Sequence, residues 1–138
     1  MSRLVRSRIA GAMLLLAGCA TEPIPNSEAG SIPMQRHLLF RDPAPGAAPV
    51  VVIRDPGFLG AACATQLLVN DKVAAYVNAG EKVTLHIPEG TVILGAEPDG
   101  ICGGGRIEVE AKLQAGQKVS YRIAKSQTGS GFYRTTDR

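Results

Sequence analysis

Tryptophan is missing from this chain of 138 residues, which holds only three tyrosines and three phenylalanines. A platform that stacks sugars or nucleobases on aromatic faces is therefore poorly supplied. Histidine occurs twice, at His37 and His86, with no second ligand or nucleophile at a recognisable spacing. Neither a zinc site nor a histidine general base is written into such a pattern, and no cofactor is expected. Gly103-Gly104-Gly105 lacks the Lys-Ser/Thr that completes a phosphate-binding loop, and no helical stretch follows it. It reads as a bulge or tight passage. No apolar run approaches the roughly 20 residues a transmembrane helix needs, and from Val50 onward no window carries a helical period.

What is present begins at the N-terminus. Arg3, Arg6 and Arg8 precede an apolar run from Ile9 to Ala17, which closes on Leu16-Ala17-Gly18-Cys19. This is the basic region, apolar core and small-residue cleavage site of a secretory signal peptide, here residues 1–18. Leu16-Ala17-Gly18-Cys19 resembles a lipobox, the site used by prolipoprotein transferase and signal peptidase II. The resemblance implies that the Cys19 thiol receives diacylglycerol, that the chain is cut before it, and that the new amino group is acylated. Each buried methylene contributes about 0.8 kcal/mol, and one chain holds only reversibly, so two or three chains on one cysteine anchor stably. In such lipoproteins an Asp directly after the cysteine favours retention in the inner membrane. This chain has Ala20 there, which implies the periplasmic face of the outer membrane.

Removing the leader changes the charge argument. The net charge of +3 comes from 15 basic and 12 acidic residues; without the three leader arginines, 12 face 12. No basic cluster remains to neutralise phosphates, which excludes nucleic acid as an expected partner. Assigning Cys19 to lipid also leaves an even pair, Cys63 and Cys102, in an oxidising compartment where a disulfide is expected. Closing that loop contributes roughly 4 kcal/mol on the chain-entropy model. Two cysteines are too few for an iron–sulfur cluster.

Residues 19–49 carry Pro23, Pro25, Pro33, Pro43, Pro45 and Pro49 among small and polar residues and read as a flexible tether. Within it only Met34 to Phe40 has the composition of a short helix or strand. Residues 50–125 change to short β-branched runs between turn signals, and residues 126–138 read as a polar tail. Val50 to Arg54 is a continuous apolar run; Thr65–Val69 and Lys72–Val77 flank Asn70-Asp71, a two-residue hairpin connection. Strict alternation places Val83, Leu85 and Ile87 inward, then Ile107, Val109, Ala111 and Leu113, then Val119, Tyr121 and Ile123. With Thr91–Glu97, about seven strands at roughly ten-residue spacing predict an all-β fold, a single small antiparallel β-sandwich. Ala79 to Ile87 echoes Ala115 to Ile123, which we read as a glycine turn at positive φ followed by a half-buried strand.

The stretch Gly80 to Leu94, with its Ile87-Pro88-Glu89-Gly90 turn, resembles PEGA-like and DUF2846-like β domains of bacterial envelope proteins. Arg54-Asp55-Pro56-Gly57-Phe58 with Cys63, and Asp99-Gly100-Ile101-Cys102 with its glycines, resemble segments of short proteobacterial lipoproteins. A bridge between the cysteines would bring these two loops together, making Asp55, Phe58, Asp99, Gly103 and Gly104 candidate interaction-loop residues. Turn formation alone also accounts for both aspartates. The expected function is a non-enzymatic interaction or structural module meeting an envelope protein partner. The alternative is a tethered inhibitor or ligand sensor, as in lipoproteins that inhibit lysozyme, although those carry a tryptophan and loop motifs absent here.

Overall fold

The computed structural model describes residues 20–136; the leader and Cys19 lie outside the described residues. Nine strands follow one another: β1 (Gly30–Ser31), β2 (Ala47–Arg54), β3 (Thr65–Val69), β4 (Lys72–Val77), β5 (Glu81–Pro88), β6 (Gly90–Pro98), β7 (Ile107–Leu113), β8 (Val119–Ser126) and β9 (Gly129–Thr135). A single 3₁₀ turn, Met34–Arg36, is the only helical element among the described residues. One sheet runs β1-β5-β2-β8-β9 and the other β4-β3-β6-β7. The chain is thus an all-β sandwich, as its periodicity predicts.

The alternating strands bury the faces expected of them. Val83, Leu85 and Ile87 are buried, and Ala111, Leu113, Val119, Tyr121 and Ile123 join them in one core cluster, with Ile107 and Val109 partly buried at its edge. Asn70 and Asp71 have φ of 46° and 66°, the paired left-handed conformation of a type I′ hairpin, whose twist matches the flanking strands. The continuous run in β2 has a different cause. This strand lies between β5 and β8, and both of its faces are covered: Val50 and Val52 face the main core, while Val51 and Ile53 meet Ala29 and Ile24 outside. A strand buried on both sides needs no polar alternate.

The sequence echo is explained at the same place. Gly80 and Gly116 both take positive φ (78° and 72°), and each opens a strand that flanks β2. The Gly80 N–H donates to the Arg54 carbonyl at 2.9 Å, and the Gly116 N–H to the Ala47 carbonyl at 2.9 Å, so the two turns clamp opposite ends of the central strand.

Three features differ from the sequence reading. The five-stranded sheet is mixed, because β2 pairs with β8 in parallel and β1 with β5 in parallel, while the four-stranded sheet is antiparallel throughout. Of the expected tail at 126–138, the described residues are not a mere tail: β9 pairs with β8 along its length and buries Phe132, whose ring meets Tyr121 edge-on at 5.9 Å between centroids. Residues 20–46 do not hang free but lie on the sandwich. Thr21, Glu22, Gly30, Ile32 and Leu38 each donate a backbone N–H to a carbonyl of another segment, Ala29 is buried, and β2 starts at Ala47 rather than Val50. The prolines spaced through this segment suppress any strand pattern while leaving enough N–H groups to dock it.

Candidate functional site

The candidate residues gather at one end of the sandwich, where β2 passes into β3 and β6 into β7. Cys63 and Cys102 form a disulfide with Cα atoms 6.0 Å apart, tying these loops together across 39 residues of sequence. Beneath them Arg54 is almost wholly buried at the end of β2. Its Nη1 donates to the carbonyls of Cys63 (2.7 Å) and Val77 (3.0 Å), and its Nη2 to that of Gly60 (2.6 Å). A guanidinium offers a rigid fork of donors, so one cation satisfies three carbonyls, two in the β2–β3 loop and one at the end of β4. Burial lowers its pKa from the ordinary arginine value, an effect opposed by the charge of Glu81.

Asp55 and Arg122 form a second buried device. Asp55 has no exposed surface, and Arg122 Nη1 donates to its Oδ1. Arg122 Nη2 donates to the Ile24 carbonyl at 2.9 Å, joining the pair to the N-terminal segment. Burial pushes the Asp55 carboxyl up from its ordinary value, and the hydrogen bond and charge of Arg122 offset part of that shift. Desolvating two charges costs more than an exposed pair would, so this pair secures the geometry of the end rather than adding large net stability.

The N-terminal segment completes this end. The Thr21 N–H donates to the Lys125 carbonyl at 2.9 Å, and the Lys125 N–H donates back to Thr21 Oγ1 at 2.9 Å. The Glu22 N–H donates to the Pro56 carbonyl at 3.0 Å. A Cβ placed on Gly57 would lie 2.8 Å from Thr21 Cα, so only glycine permits this approach. Burial lowers the pKa of the Lys125 ammonium, with the positive charge of Arg54 acting in the same direction. An open groove of about 350 Å³ runs between Ala20, Thr21 and the β8–β9 turn.

Of the candidate loop residues, Asp55 is buried and not presented to a ligand; its partner is Arg122. Asp99 accepts from Gln66 Nε2 at 2.8 Å, and its N–H donates to the Ala64 carbonyl at 2.9 Å, a local loop role. The aspartates are therefore engaged by separate partners. Gly104 has φ of 128°, and a Cβ there would stand 3.3 Å from Pro98 Cγ, a tight passage, whereas Gly103 has open space around it. Phe58 is 86 % exposed, and Ile101, beside Cys102, is fully exposed. Cys19 lies outside the described residues. Arg122, Lys125 and Thr21 join this end without any sign in the sequence, and Arg54, part of the Arg54–Phe58 segment, proves to be its buried anchor. Arg54 terminates an apolar run and Arg122 alternates with core residues, but the 67 residues separating Asp55 from Arg122 carry no local sign of their pairing.

The two histidines lie elsewhere. The His86 N–H donates to the Phe40 carbonyl at 2.8 Å; Phe40 itself takes a left-handed φ of 57° and packs on the core. Burial lowers the His37 pKa, with Arg41 and His86 adding to the effect. Ile32, Met34, His37, Arg41 and Asp42 line an open hollow of about 530 Å³. Among the described residues no group of three or more His, Cys, Asp or Glu side chains is placed to hold a metal ion. Among them also no helix is long and apolar enough to cross a membrane. No protein-family model, curated protein or solved structure matches this chain.

Proposed function

We propose that this chain is an envelope lipoprotein related to the DUF2846-like and PEGA-like group, anchored by acylated Cys19. Its sandwich serves there as a non-enzymatic interaction or structural module on the periplasmic face of the outer membrane. The observation that carries the reading is Leu16-Ala17-Gly18-Cys19 closing a basic and then apolar leader. The buried ionisable groups at the candidate site support the non-enzymatic part. Arg54 is committed to three carbonyls and Asp55 to Arg122, which leaves neither free to transfer protons or hold a substrate.

Treating cells with globomycin, which blocks the lipoprotein signal peptidase, tests the anchor: the uncleaved precursor accumulates. Normal processing in its presence contradicts the reading. Crosslinked complexes recovered from envelopes then test the role. A stable structural partner supports an interaction module, while a hydrolase points to the tethered-inhibitor alternative.

A further inference from the structure

We propose that the disulfide-bridged end of the sandwich is a membrane-contact surface, with Phe58 and Ile101 entering the same phospholipid leaflet that holds the lipid on Cys19. The inference rests on the lipoprotein reading of Cys19 and goes beyond it, because an anchor alone does not set how the domain stands.

Docking of the N-terminal segment is the first ground. A free linker of about 30 residues has a root-mean-square span of roughly 30 Å, enough to let the domain tumble away from the bilayer. Thr21 is instead bonded in both directions to Lys125, and its Cα seats against Gly57. Thr21 stands two positions after Cys19, with only Ala20 between them, and even fully extended those two steps span at most about 7 Å. Acyl chains entering the bilayer at Cys19 therefore bring the Gly57 loop to the lipid interface.

Composition of that end is the second, independent ground. Residues 56–64, Pro-Gly-Phe-Leu-Gly-Ala-Ala-Cys-Ala, and residues 100–105, Gly-Ile-Cys-Gly-Gly-Gly, contain no charged side chain, and their only thiols are joined in the disulfide. Phe58 directly follows the glycine that receives Thr21, and Ile101 is carried beside the same loop by the Cys63–Cys102 bridge. Both are among the most exposed large apolar side chains described. Glu22, Asp99 and Lys125 flank these loops without interrupting them. The opposite end is different, with Glu89 and Lys118 in or beside its turns, while Arg106 flanks the 100–105 loop and reaches along the sheet to Asp71. An apolar tip between charged flanks, next to an acyl anchor, fits a bilayer interface, where apolar side chains sink about 5–10 Å into the headgroup and acyl boundary. Arg54 and the disulfide hold the two loops in place, so little ordering is needed on contact.

The absence of tryptophan supplies a direct test. Full-length protein is expressed as Phe58→Trp, Ile101→Trp or, midway along β6 and away from the bridged loops, Ile93→Trp, purified with its lipid and reconstituted into vesicles of phosphatidylethanolamine and phosphatidylglycerol. All three positions are exposed, so each substitution leaves the core intact. The expected result is a blue-shifted emission at positions 58 and 101. Lipids brominated near the headgroup should quench both, more strongly than lipids brominated near the chain methyl, with no quenching at position 93. Vesicle flotation and intact mass report the anchor separately. Protein that floats and carries lipid on Cys19, yet shows all three tryptophans open to aqueous acrylamide, overturns the membrane contact and leaves the anchor standing. Protein that carries no lipid and does not float overturns both.

Discussion

The Asp55–Arg122 pair yields the sharpest prediction about what holds this end together. Asp55 is fully buried and Arg122 nearly so, and the guanidinium also reaches the Ile24 carbonyl. Replacing Asp55 by alanine leaves a buried cation without its counter-charge, a change that costs about 3–5 kcal/mol. At about 4 °C per kcal/mol for a domain of this size, Tm falls by roughly 10–20 °C. Removing both charges has a different outcome: Asp55→Leu with Arg122→Met removes both desolvation penalties and is neutral to stabilising by up to about 4 kcal/mol against wild type, less the lost Ile24 contact. Circular dichroism melts and urea titrations of the wild type, Asp55→Leu, Arg122→Met and the double variant form a complete cycle, with Asp55→Ala measured beside it. An Asp55→Ala cost under about 1 kcal/mol, or a double variant as unstable as the worse single one, contradicts a buried pair in which each charge is held by the other.

Other perturbations test separate contacts. Replacing Cys63 and Cys102 by serine removes up to roughly 4 kcal/mol on the loop-entropy model, read as a lower urea midpoint; an unchanged midpoint contradicts it. Gly57→Ala drives a methyl into the Thr21 backbone and is expected to cost about 1–3 kcal/mol while exposing residues 20–30 to protease, with retained protection as the contrary result. Arg36 holds Glu81 in two 2.7 Å hydrogen bonds, and its hydrogen bonds and charge, with the Asn78 N–H, keep the Glu81 carboxyl below its ordinary range. A depressed carboxyl stabilises the fold above its ordinary value near 4.5, and that contribution disappears as pH falls through the folded value. Glu81→Gln should therefore cost about 1 kcal/mol at neutral pH and flatten the acid limb of the stability curve; an unchanged limb assigns acid loss to another group.

Periodicity made much of the sandwich legible because strands such as β5 and β7 bury one face and leave the other open. Lys82 to Ile87 and Arg106 to Leu113 announce their buried faces residue by residue, and Asn70-Asp71 announces its turn. What stayed hidden depends on contacts distant in sequence. Gly129–Thr135 has little apolar content beyond Phe132 and Tyr133, and it becomes a strand because β8 offers a free edge. The proline-spaced segment reads as a tether by composition, yet Ser120 and Arg122 are buried on the outer side of β8 and Ile24 packs against β2. The echo around Gly80 and Gly116 was visible as a pattern, but its meaning, two turns clamping one central strand, appears only once β5 and β8 are seen to flank β2. At the candidate site the disulfide could be expected from cysteine arithmetic. The burial of Asp55 could not, since a turn aspartate and one end of a buried ion pair look alike in sequence.

Acylation of Cys19 is the proposal on which membrane attachment rests. Intact mass and N-terminal fragmentation of protein extracted from native membranes test it directly. The expected product is a chain beginning at Cys19 with diacylglycerol on the thiol and an acyl group on the amine. An unmodified Cys19, whether inside an uncut chain or at a free N-terminus, would contradict it.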